Sequence, residues 1–283
     1  MQLRTARHPE TSALNNQYHP PDVFELVCAT EQAFQDLMGM ARRRGPDDRS
    51  SDAGLGGQLF YAGNLDKIAN RLVIAANIAG AATLCAAAGS ETQRQALHGG
   101  VVDFVVTSLD EALRILKNEI RKREPVAVCV GVSHAQLEPE MRERGVLPDL
   151  VCAANADGAR TLTALSGCSV KQEAPRLSEM QALLDWRVAT APARWMAKLD
   201  ALALGSLSAD AHVERRWLKG ASRYLGRDAT GMRVLRCSGE DAENILARMR
   251  MASFRREIDA RIDVKLNYRG VVEKHALTPG ETI

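Results

Sequence analysis

The sequence predicts an α/β chain built on a doubly wound, mostly parallel sheet, and three observations between Gly57 and Asp157 carry that prediction. Short apolar runs alternate with helix-patterned segments, each run ends at Gly, Ser or Asn, and every crossover is long enough to hold a helix. Alternation of this kind permits right-handed crossovers between parallel strands, with ligands expected outside the carboxyl ends of the strands.

Taken in order, Gln58–Ala62 is strand-like and Gly63-Asn64 breaks it. Asp66 to Gly80 is helical and apolar nearly all round, as in a helix packed on two sides. Ala82–Ala87 makes a second strand, and Ser90–Leu97 a short helix that begins at a Ser cap. Val101–Val106 is the third strand, and Ser108-Leu109-Asp110-Glu111 is a capping box opening a helix that runs to Arg123. Val126–Val130 is the fourth strand, Gly131 turns, Ser133 caps a helix ended by Gly145, and Leu150–Ala154 is the fifth strand.

The flanks read differently. Residues 1–20 lack any period and are expected to form a loose arm. Pro21 opens a helix whose apolar stripe Phe24, Val27, Cys28, Phe34, Leu37 and Met38 is interrupted by the polar pair Thr30-Glu31. With that helix the first domain spans 21–158, and 159–283 forms a mainly helical α+β appendage. Its helices are expected at Ser178–Val188, Pro192–Leu204, Ala209–Leu225 and from Ser238 to Met251. Met232–Cys237 reads as a strand, and Arg261–Tyr268 with Val271–Leu277 as a hairpin turning at Arg269-Gly270.

Composition bounds the function. A chain of 283 residues can bury a full core without staples, and 46% hydrophobic with 4% aromatic content suits Ala, Val, Leu and Ile packed between helices and sheet. A net charge of +2 gives no chain-wide field for nucleic acid or anionic membrane. The six cysteines form no CxxC pair, and Cys85, Cys129 and Cys152 sit inside apolar runs, so a reducing cytoplasm is expected. No apolar run reaches the length of a membrane span or a secretion signal.

The residues expected at strand tips, and so around a crevice, are Gly63, Asn64, Gly131, Ser133, His134, Asn155 and Asp157. His134 is the candidate acid-base residue of that set; the other reading is an exposed polar residue in a helix's first turn. Asn155 and Asp157 either bind sugar hydroxyls or form Asx turns. Asp66 places a negative charge in the first strand-to-helix turn, where a pyrophosphate would sit, or merely caps the helix. The run Arg215-Arg216-Trp217-Leu218-Lys219 either grips a phosphate or RNA, or forms an amphipathic helix with Trp217 in the core, and the second reading is preferred.

Three pieces point to a family. Thr107-Ser108-Leu109-Asp110-Glu111-Ala112-Leu113, then Pro139-Glu140 with Arg144-Gly145-Val146-Leu147-Pro148-Asp149, resembles the middle, NAD-binding domain of urocanase (urocanate hydratase), and Ala75-Ala76-Asn77-Ile78-Ala79-Gly80 resembles that family's Ala-Ala-Thr-Met-Ala-Gly helix. The resemblance implies a Rossmann-like domain and NAD as cofactor. Of the family's Gly-Leu-Gly-Gly-Met-Gly-Gly turn only Gly63 is kept, and the ribose-binding acid falls near Ala87. Its Gly-Asn-Ala-Ala-Glu element becomes Val132-Ser133-His134-Ala135-Gln136. Binding of a nucleotide or small metabolite, without full urocanase activity, is therefore expected, with a homodimer as the assembly. The alternatives are an NAD-dependent hydratase or lyase acting on a small unsaturated acid, and a non-catalytic structural or regulatory subunit.

Overall fold

A computed structural model of the chain describes residues 21–43, 54–152, 169–170, 180–226 and 229–281. The arm expected at 1–20 lies outside the described residues, as do 153–168 and 171–179.

The first half alternates as the apolar runs require. The elements are α1 (Pro21–Arg43), β1 (Leu59–Asn64), α2 (Lys67–Ala79), β2 (Ala82–Ala86), α3 (Ser90–His98) and β3 (Phe104–Val106). They continue as α4 (Leu109–Lys122), β4 (Val126–Val130), α5 (His134–Glu143), β5 (Leu150–Cys152) and the two-residue β6 (Ser169–Val170). The sheet order is β3-β4-β2-β1-β5-β6, and every neighbouring pair is parallel.

Strand periodicity assigns the faces. Phe60, Ala62, Cys85 and Cys129 join the core of α2 and α3, whereas Tyr61, Leu84, Val128 and Val130 pack with Leu109 and Leu116 of α4 and Leu137 and Met141 of α5. The sheet is doubly wound, with helices on both sides, as the uninterrupted apolar strands demand.

Some boundaries differ from the sequence reading, each for a local reason. Gly63-Asn64 do not break β1 but end it, through a register shift after Tyr61 that Gly63 accommodates at φ 75°. The third strand begins at Phe104 because Asp103 Oδ2 accepts the Ala127 N–H at 2.8 Å, taking the place of a backbone carbonyl. Gly89, not Ser90, is the cap of α3.

The second half contains β7 (Gln181–Arg187), α6 (Pro192–Ser206), α7 (His212–Tyr224), β8 (Met232–Ser238), α8 (Gly239–Phe254), β9 (Ile262–Tyr268) and β10 (Val271–Leu277). Its strands form an antiparallel sheet, order β10-β9-β7-β8, so the sheet is larger than the hairpin and single strand read from sequence. The helix expected at Ser178–Val188 is the inner strand β7. Gln181-Ala182-Leu183-Leu184 has helix-forming composition, but pairing on both sides overrides it and Ala182, Leu184 and Trp186 turn into the core. Arg269 at φ 52° and Gly270 at φ 79° supply the two positive angles of a tight hairpin turn.

Helix α1 ties the halves together, lying against α2 on one side and β8 on the other. The pair Thr30-Glu31 does not interrupt it. Thr30 Oγ donates to Leu26 O at 2.7 Å, and Glu31 meets Arg236 Nη2 of β8 at 3.2 Å with both side chains buried. Helix α7 makes a second tie: a Cβ on Gly220 would come within 2.7 Å of Ile78 in α2, so glycine sets how closely the helices approach. Trp217, fully buried beside Phe34, donates its indole N–H to Val234 O of the edge strand β8 at 2.6 Å.

Candidate functional site

Strand order fixes where a ligand could enter. From β1 the chain moves to β2 on one side, while β5 pairs with β1 on the other side and continues to β6 beyond it. The two connections diverge, so the topological switch lies between β1 and β5, at their carboxyl ends.

Gly63, buried, and Asn64, half-buried, form the β1 side of that switch. On the β5 side, Asn155 and Asp157 lie outside the described residues. Gly131, Ser133 and His134 follow β4, which is separated from β1 by β2. Strands stand about 4.8 Å apart, so the β4 tip is about 10 Å from the β1 tip along the sheet edge. The structure thus divides the sequence-derived residues into two groups: Gly63 and Asn64 at the switch, Gly131, Ser133 and His134 two strands away.

Local hydrogen bonding shows what each tip is prepared to do. At α2, Asp66 Oδ1 accepts from the backbone N–H of both Ile68 and Ala69 at 2.8 Å. Those are the amides a pyrophosphate would use, and the chain's own carboxylate holds them. At α5, the Ser133 N–H donates to Gln136 Oε1 at 3.2 Å and its hydroxyl to the same oxygen at 2.9 Å, a neutral capping arrangement. At α4, Ser108 Oγ accepts from Glu111 N at 3.3 Å, while Glu111 Oε2 accepts from the Thr107 N–H at 2.9 Å and its hydroxyl at 3.0 Å. These two bonds, the backbone one first, hold the exposed Glu111 carboxyl below its usual range.

Gln93 is a tip residue that sequence reasoning missed. From α3 its Nε2 donates to Ala87 O at 2.7 Å, where the ribose-binding acid was sought, and it stands close enough to touch a Cβ placed on Gly131 at 3.4 Å. It fills the notch between the β2 and β4 tips. A Gln four residues inside a polar helix carries no sequence signal for that role.

The order of elements, the positive-φ glycine ending the first strand, and the switch beside it are now in place. Residues 39–157 match the family model of the urocanase Rossmann-like domain. The match begins in α1, runs through β1 to β5 and excludes β6 and the antiparallel half. Within this urocanase-like domain the NAD-binding features fit poorly. Asp66 occupies the α2 amides, and Ala87, 2% exposed and followed by Ala88, puts no carboxylate at the β2 tip. Among the described residues, those at the β1 and β2 tips do not make a dinucleotide cradle.

Outside the domain, Arg215 of α7 serves the fold. Arg215 donates to the carbonyls of Leu204, Leu207 and Ser208 at 2.8, 2.7 and 3.0 Å, capping the end of α6. A cavity of about 510 Å³ beside it is lined by Ser208, Glu214, Ser238 and Asp241. Asp241 accepts there from Ser208 N at 2.8 Å and from the hydroxyls of Ser208 at 3.1 Å and Ser238 at 2.9 Å, which accounts for its burial. Among the described residues no His, Cys, Asp and Glu cluster could hold a metal ion, and no helix is long and apolar enough to cross a membrane.

Proposed function

We propose that this chain binds a nucleotide or another small metabolite at the carboxyl ends of β1 and β5, on a urocanase-like domain that lacks full urocanase activity. The observation that carries the reading is the topological switch beside Gly63 and Asn64. The filled amides at Asp66 favour a ligand without a pyrophosphate over NAD. His134, on the separate β4 group, is kept as a residue able to exchange protons with a ligand long enough to span both tips.

The test is thermal melting of the full chain with NAD, NADP, AMP and FAD, alongside mass spectrometry of whatever small molecule co-purifies. Stabilisation scales with the logarithm of ligand over Kd, so a hundredfold excess raises stability by about 2.7 kcal/mol. AMP or a co-purifying metabolite is expected to stabilise and NAD is not. Asn64→Trp is expected to abolish the effect. NAD released on denaturation, together with hydration of a small unsaturated acid, would instead establish the NAD-dependent hydratase. No response to any nucleotide and no co-purifying compound would leave the structural or regulatory subunit.

We further propose a homodimer in the cytoplasm. The dimer reading is supported by the exposed apolar side chains on one outer strand of each sheet, Phe104 of β3 and Val271 and Val272 of β10. Light scattering on eluted protein tests it. The reducing compartment is supported by Cys85 and Cys129, which face each other on adjacent strands as free thiols.

A further inference from the structure

We infer that the antiparallel half carries a separate binding pocket for a small oxyanion, a carboxylate or a phosphate group, between α8 and β10. A cavity of about 280 Å³ lies there, several times the ~30 Å³ share of one water, lined by Arg250 and Ser253 of α8 and by His275, Leu277 and Thr278.

Three buried polar atoms on residues lining this cavity lack hydrogen-bond partners among the described residues: Ser253 Oγ, Arg250 Nε and His275 Nε2. Ser253 is 2% exposed, yet its Oγ has no hydrogen-bond partner among the described residues, and neither does the buried Nε of Arg250. A helical serine ordinarily returns its hydroxyl to a carbonyl one turn earlier, as Ser206 does to Leu202 O at 2.7 Å. Ser253 forgoes that bond. Buried donors without partners are costly and uncommon, and two of them on one cavity wall call for a shared acceptor.

The neighbouring charges favour an anion in that position. Arg250 Nη2 lies 2.9 Å from His275 Nδ1. Arginine can only donate, so Nδ1 accepts and the imidazole hydrogen sits on Nε2, which stands 3.3 Å from Glu273 Oε2. His275 thereby holds the guanidinium in place without neutralising it. Glu273 stands beside the far side of the ring without a hydrogen bond to it, and the exposed Glu281 and Lys274, the latter in register with Lys265, also line the cavity. A guanidinium donor beside a hydroxyl, with no carboxylate among the described residues hydrogen-bonded to either, is the chemistry that recognises an oxyanion.

The experiment follows amide NMR signals of the full chain through titrations with sodium phosphate and with sodium acetate, at ionic strength held constant by sodium chloride. Saturable shifts centred on Ser253 and Leu277 are expected with one of the two anions and not with chloride. Tighter phosphate assigns a phosphoryl group, tighter acetate a carboxylate. Arg250→Lys, which keeps the charge and loses Nε, and Ser253→Ala are each expected to weaken binding about tenfold while the remaining spectrum stays native. Equal responses to chloride, shifts confined to the β1 tip, or variants that bind as well as the parent would each overturn the proposal. Failure of the β1–β5 crevice to bind nucleotides would leave it untouched.

Discussion

In the parallel sheet both faces are closed by apolar side chains, mostly from its own crossover helices, whereas the antiparallel sheet adds buried ion pairs to its apolar core. Glu31–Arg236 at 3.2 Å, Asp200–Arg233 at 3.0 Å and Asp185–Arg187 at 3.3 Å all lie on or against its strands. The difference follows from connectivity. A β–α–β unit delivers a covering helix with every strand, so hydrophobic patterning alone specifies the layers. The antiparallel sheet takes part of its cover from α8, which packs on all four of its strands, and part from α1, which comes from elsewhere in the chain and packs on β8. Buried ion pairs are poor sources of stability but restrictive ones, since each tolerates a single docking geometry.

The largest effect should come where α7 joins the halves. Trp217→Ala removes a fully buried indole, costing about 3–5 kcal/mol, and strands Val234 O, which adds about 1–3 kcal/mol. Urea unfolding should show both halves weakened together; loss confined to one half would mean that the two sheets are not a single cooperative unit.

The ion pair gives the sharper test of the charge argument. Arg236→Met leaves Glu31 buried without its partner and should cost about 3–5 kcal/mol, while Arg236→Met combined with Glu31→Leu should recover most of it. Burial pushes the Glu31 carboxyl above its ordinary range, against the pull of Arg236. A carboxyl that holds its proton more tightly when folded adds stability that is full below its unfolded value of 4.5 and is lost as pH rises through the folded one. Glu31→Gln should therefore show a shallower decline in urea midpoint from acid to neutral pH than the parent chain. An identical pH profile would show that the carboxyl is not titrating in that window.

A smaller effect is expected at the helix contact. Gly220→Ala gains about 1 kcal/mol of helix propensity but drives a methyl to 2.7 Å from Ile78, an overpacking cost of about 1–3 kcal/mol. The net should be mild destabilisation, by melting temperature, and a stabilised variant would mean that α2 and α7 separate easily.

The same contrast explains what the sequence disclosed. The parallel half was readable because the information was local: apolar runs, a Ser108 cap, a Gly80 helix end. Strand β7 was misread because its pairing partners lie some fifty and eighty residues onward in Met232–Ser238 and Ile262–Tyr268, and propensity could not see them. Glu31 looked like an interruption for the same reason, since Arg236 is remote in the chain. At the candidate site, Asp66 was legible as a charge in the turn. Gln93, whose side-chain amide turns back to the Ala87 carbonyl just past β2, was not.

Asp66 also supplies the smallest stability effect and the most direct test of why the urocanase-like domain disfavours a pyrophosphate. Capping by Asn nearly equals capping by Asp, so Asp66→Asn should change stability by a few tenths of a kcal/mol, whereas Asp66→Ala should lose about 0.5–2 kcal/mol. Binding should separate from stability. Asn removes the fixed negative charge at the start of α2, where favourable anion interactions are worth about 0.3–1 kcal/mol, and so should tighten AMP binding by a few-fold if the phosphate approaches these amides. Calorimetry on the two variants decides the matter: equal AMP affinity in parent and Asn variant would place the phosphate away from α2, toward the β5 side of the switch.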